Sequence, residues 1–154
     1  MWKQLSKLWY KPLLNEEQQA LIVNAVKAAE IATSGEIRVY IESKCTYIDA
    51  LDRAKEIFAE MQMQHTELRN GVLVYVALKD KQLAVFGDVG IHEKVGTSFW
   101  QNGVTQMIAQ FNKENYAQGI VQIVTDIGVA LKQHFPYNAD TDKNELPDNI
   151  IFGK

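Results

Sequence analysis

The chain has 154 residues, 47% of them hydrophobic, and a formal net charge of −3. That length carries one domain with its own core, and that apolar fraction excludes wholesale disorder. The slight acidity, with no basic footprint, excludes nucleic acid as an expected partner.

The N-terminal "MWKQLSKLWYKPLL" has neither an uninterrupted apolar run nor a small-residue cleavage site, so it does not read as a signal peptide. Trp2, Trp9 and Tyr10 form an aromatic patch expected to pack on the core or the tail. Pro12 to Ala32 reads as a helix, capped by Asn15 with Gln18 completing a capping box, and Ile22, Val26 and Ala29 share a face. In "EIRVYIES", Ile37, Val39 and Ile41 alternate with Glu36, Arg38 and Tyr40, as in a strand with one apolar face. Cys45 follows. A lone cysteine excludes an internal disulfide and a cysteine-cluster zinc site, and it reads as structural.

Ile48 to Met61 is a second helix. The apolar run Val72 to Leu78 predicts a strand buried on both faces, hence central. Lys79-Asp80-Lys81 turns the chain into Gln82–Phe86, the partner strand of a hairpin. Gly87-Asp88-Val89-Gly90 reads as a turn, because Gly and Asp suit tight bends and positive φ. Ser98 to Phe111 and Tyr116 to Phe135 are helices, the second ended by Pro136. No segment approaches the roughly 18 apolar residues of a membrane span. The expectation is a cytoplasmic monomer: one α/β domain over residues 1–137, then a polar tail, 138–154, packed on it or trailing from it.

This order predicts an αβα sandwich with a small mixed sheet, a parallel pair plus an antiparallel hairpin strand, and helices on both faces. It also predicts a convergence. The first two strands start, and the third ends, at one end of the sheet. Glu36, Glu67, Arg69, Asn70 and Asp88 should gather there. Carboxylates, amides and carbonyls suit Ca²⁺, or Mg²⁺ or another divalent cation, and the glycines beside Asp88 would let backbone oxygens approach such an ion. The plainer reading of the same residues is solvated loop charges, one of them paired with Arg69. His92 stands close to Asp88 and Glu93 and could join a metal site. His134, before the Pro136 stop, suits a helix C-terminus.

The motifs "TSGEIRVYIE", "TELRNGVLVYVAL" and "LAVFGDVGIHEKV", then "YAQGIVQIV" and "HFPY", resemble the TPM domain from about Leu14 to Pro136. The tail "NELPDNIIFG" resembles that of small one-domain bacterial members. The resemblance implies an αβα sandwich and calcium at the sheet edge, at Asn70-Gly71 and Gly87-Asp88-Val89-Gly90. Where many members have an acidic residue this chain has His92, a poorer Ca²⁺ ligand. The family includes thylakoid-lumen proteins with acid phosphatase activity, bacterial envelope proteins and an animal receptor-modulating protein. Three functions therefore compete: a cation-binding module with binding or regulatory use, a metal-assisted acid phosphatase, and a protein-interaction domain without metal. A phosphatase needs cations that hold phosphate, and only Arg69 offers itself.

Overall fold

The computed structural model describes residues 14–137 and 150–153. Helix α1 spans Glu16–Ile31, strand β1 Glu36–Glu42, helix α2 Ala50–Glu60, a 3₁₀ turn Met63–His65, strand β2 Gly71–Ala77 and strand β3 Gln82–Gly87. Helices α3, α4 and α5 follow at Val89–Val95, Thr97–Asn112 and Tyr116–His134, and strand β4 is Ile151–Phe152. The sheet order is β3-β2-β1-β4, with β1 parallel to β2 and β4, and β3 antiparallel to β2. The aromatic N-terminal patch and the acidic residues of 138–149 lie outside the described residues.

Sequence chemistry explains most boundaries. Asn15 accepts from the Gln18 amide at 2.8 Å while the Gln18 side chain accepts from the Asn15 amide at 2.9 Å, a reciprocal box that starts α1. Asp49 caps α2 through the Leu51 amide. All seven residues of β2 are buried, as its unbroken apolar run predicts. Ile37, Val39 and Ile41 join Val72, Val74 and Val76 in one core under α1, α4 and α5. Leu73, Tyr75 and Ala77 face the opposite way, into a second core under α2 with Phe58 and Met63.

Three elements depart from expectation. The Gly87–Gly90 segment is not a free turn: Asp88 opens α3. Met63–His65 forms a turn too short for periodicity to reveal. The final Ile-Ile-Phe adds a strand to β1, and the Gly153 amide bonds the Ile41 carbonyl at 2.7 Å. No helix among the described residues is long and apolar enough to cross a membrane.

Where β1 ends, Glu42 is buried and accepts from Tyr75 and, in bidentate fashion, from Arg53 at 3.0 and 3.1 Å. Arg53 lies 6.0 Å from the Tyr40 ring and 5.7 Å from the Tyr47 ring. Burial first, then the bond to Glu42, raises the Tyr75 phenol far above the tyrosine range. Burial and the Glu42 charge raise Tyr40 as well. In the unfolded chain both phenols titrate near 10. Above that pH the unfolded chain binds fewer protons than the fold, so this stabilisation, complete below about pH 10, is lost as pH rises. Thermal melts from about pH 8 to about pH 11 should show the decline, and Tyr75→Phe should make it shallower. Parallel pH profiles for parent and variant would show that Tyr75 is not held as its burial implies.

Candidate functional site at the sheet end

The register pairs Glu36 with Gly71 and Gly71's neighbour Val72 with Gly87, so the predicted ends do meet. The loop before β2 is wound on Thr66. Its carbonyl accepts from the Arg69 amide and its hydroxyl from the Asn70 amide, both at 3.2 Å. Arg69 itself takes a left-handed backbone, φ +52°, which is uncommon for a side chain of its kind. That conformation turns its carbonyl to the Gly90 amide at 2.8 Å and its guanidinium onto Asp88.

Asp88 is 2% exposed. Its carboxylate accepts from Arg69 Nε at 2.6 Å, Arg69 Nη2 at 2.7 Å and the Val89 amide at 2.8 Å. Its own amide donates to the Gly71 carbonyl at 2.9 Å. One residue thus ends β3, starts α3 and ties both to the loop before β2. The bidentate fork is the stronger form of such a pair.

The glycines beside Asp88 are there for space, not for positive φ. Gly96 is the glycine with positive φ among the described residues. A Cβ on Gly87 would overlap the Trp100 indole. A Cβ on Gly90 would lie 2.6 Å from the Arg69 carbonyl oxygen and closer still to that of Leu68. Backbone oxygens do approach this segment, but they approach Gly90.

The other expected residues are distributed around this pair. Glu36 is buried, and its amide donates to the Asn70 carbonyl at 3.4 Å. Strand alternation places its side chain with Arg38, on the face opposite Ile37. Burial lowers the Arg38 guanidinium while the charges of Glu36 and Glu30 raise it. Asn70 is buried, its Nδ2 donates to Ser34 Oγ at 3.3 Å, and its Oδ1 has no hydrogen-bond partner among the described residues. Glu67 is exposed on the loop. His92 accepts at Nδ1 from Trp100 Nε1 at 3.0 Å. That bond leaves the neutral ring's proton on Nε2, so a metal there would set two N–H groups against each other. Among the described residues no group of three or more His, Cys, Asp and Glu is placed to hold a metal ion.

Sequence reasoning expected Arg69 to pair with one of these acids without naming Asp88, and it missed the cap, although Asp88 directly before "VGIHEKV" is an N-cap signal. It missed Ser34 as the partner of Asn70, because their contact spans 36 positions.

Residues 9–130 match the TPM domain. The chain belongs to the TPM domain family. It is similar to the BA42 protein of the psychrophilic bacterium Bizionia argentinensis, known by NMR, with 41% identity and a TM-score of 0.82 over 91% of this chain and 95% of that one. The N-terminal domain of cg2496 from Corynebacterium glutamicum shares the fold at 11% identity, with a TM-score of 0.63 over 79% of this chain and 76% of that one. No curated protein matches.

In this TPM domain Gly90→Ala tests the packing at the sheet end. Gly→Ala inside a helix ordinarily stabilises by about 0.5–1 kcal/mol. Here the clash should reverse the sign and cost about 1–3 kcal/mol, which at about 2–4 °C per kcal/mol lowers the melting temperature by several degrees. A variant that melts at or above the parent would show that the Leu68 and Arg69 carbonyls are not pressed against α3.

Proposed function

We propose that this TPM domain is a divalent-cation-binding module in which Ca²⁺ takes the place that Arg69 holds against Asp88. One observation carries this reading. Asp88 is almost wholly buried, yet its counter-charge is a side chain 47% exposed to solvent. A carboxylate inside a fold requires a cation. When that cation reaches in from the solvent side, it can leave again without the core moving. A divalent ion brings twice the charge to the same oxygens, and its attraction is screened less by salt at a buried carboxylate than at the surface.

The donors fit in chemistry. Asp88 offers two carboxylate oxygens and Asn70 a buried amide oxygen without a hydrogen-bond partner. Glu36 at the start of β1 and Glu67 on the adjoining loop are the further oxygen donors at this end. Such a mixed, irregular set suits Ca²⁺, which accepts about 6–8 oxygens flexibly, better than Mg²⁺, which demands an octahedron. His92 stays with Trp100 in this reading. No observation favours the phosphatase, which needs more than one cationic group to hold phosphate.

Isothermal titration separates the possibilities. Ca²⁺ should bind the parent and raise its melting temperature by mass action. Asp88→Asn keeps the size, loses the charge, and should weaken binding about tenfold or more. Arg69→Ala should bind more tightly than the parent, because the competing guanidinium is gone. Equal affinity in the parent and both variants, or no binding at roughly millimolar Ca²⁺, defeats the proposal.

A further inference from the structure

Helix α3 has seven residues, with Ile91 its buried side chain. A helix so short carries little stability of its own, so bonds from outside must seat it. Two of these come from one residue. The Arg69 guanidinium donates to the cap, Asp88, at 2.6 and 2.7 Å, and the Arg69 carbonyl accepts from the Gly90 amide in the first turn at 2.8 Å. Arg69 makes both on a left-handed backbone, φ +52°. That conformation costs energy for a residue with a Cβ. Rotation to the ordinary region would swing its carbonyl away from Gly90.

One turn on, α3 reaches a second feature. His92 accepts at Nδ1 from Trp100 Nε1 at 3.0 Å, and the indole fills the space that a Cβ on Gly87 would need. Trp100 and His92 line a groove of about 820 Å³ along β3, whose other wall is α2, through Asp49, Leu51 and Lys55.

We propose that Arg69 is a latch on α3, and that α3 carries the state of Asp88 to the wall of this groove. The trigger rests on the cation exchange proposed above: an ion on the Asp88 carboxylate displaces the guanidinium. It also competes for Oδ1, which accepts from the Val89 amide. Asp88 itself stays in place, because its amide is bonded to the Gly71 carbonyl at 2.9 Å. Strand β3 stays too, in unbroken register with β2 from Gly87 to Gln82. The movement therefore falls on α3. Without the fork, nothing offsets the left-handed backbone of Arg69. It relaxes, its carbonyl leaves Gly90, and the first turn loses its seat on the loop. His92 moves with the helix, its bond to the indole breaks, and Trp100 is free to turn off Gly87 and widen the groove. By linkage, whatever holds Trp100 away from Gly87 favours the ion at Asp88.

Hydrogen exchange on the full chain, followed residue by residue by NMR, tests the latch. In Arg69→Ala the Gly90 and His92 amides and the Trp100 indole N–H should exchange about tenfold faster or more, while the β2 amides keep their protection. Asp88→Asn keeps a capping oxygen and loses the charge. It should move the same three groups in the same direction by a smaller factor, and it decides the matter if Arg69→Ala does not fold. Ca²⁺ added to the parent should speed the same groups over the range in which calorimetry records binding. Binding of Ca²⁺ with these groups unmoved overturns the latch and leaves the cation site standing. No Ca²⁺ binding ends the cation site and leaves the two variants to decide the latch. The latch also falls if the variants exchange like the parent, if Gly90 and His92 loosen without the indole, or if β2 loosens in step with them.

Discussion

The architecture depends on one strand that has no exposed face. Every residue of β2 is buried, so its backbone must be paired on both sides and its side chains covered above and below. Pairing supplies β1 and β3. Cover supplies α2 on one face and the layer of α1, α4 and α5 on the other. The parallel β1–β2 pair and the β2–β3 hairpin then fix which loops share an end of the sheet. The position of Asp88 beside the loop before β2 follows from that, before any question of ligand arises.

Burial also explains the charge pattern. Three carboxylates lie inside the fold among the described residues: Glu42 and Asp88 are each bonded by an arginine, Arg53 and Arg69, and Glu36 lies on the strand face that also carries Arg38. An unpaired buried charge costs several kcal/mol, so the pairing itself is no sign of function. Exposure separates the two pairs. The Arg53 side chain is 18% exposed and held between tyrosines. Arg69 approaches from solvent on a left-handed residue. The Glu42–Arg53 pair is held inside the fold, and the Asp88–Arg69 pair is the one whose cation faces solvent.

Much of this fold is legible in the sequence because period and burial agree. The unbroken run in β2, the alternation in β1 and the Asn15 box each reappear in the structure within a residue or two. What stays hidden is short or depends on distant partners. Helix α3 has seven residues and one buried side chain, Ile91, too little for a periodic signal. Strand β4 has two residues and exists through its pairing with β1. At the site, topology brings the right loops together, but side-chain direction decides the contacts. Strand alternation sets Glu36 on the face of Arg38, and Asn70 turns to Ser34. The glycines around Asp88 look like a turn because local sequence cannot show that Trp100 and the Leu68 carbonyl fill the space beside them.

Helix α3 joins the two ends of this reasoning. Asp88 caps it, Gly90 is pressed on the loop that carries Arg69, and His92, one turn on, bonds the Trp100 indole that lies over Gly87. Val89, His92 and Trp100 also line the groove along β3. A change of partner at Asp88 therefore acts first on a short helix with little core of its own, and through Trp100 on one wall of that groove. Short elements with few buried contacts open at low free energy. The Asp88 fork is thus the tie that keeps α3 seated, and the shape of the β3 groove rests on the same few contacts.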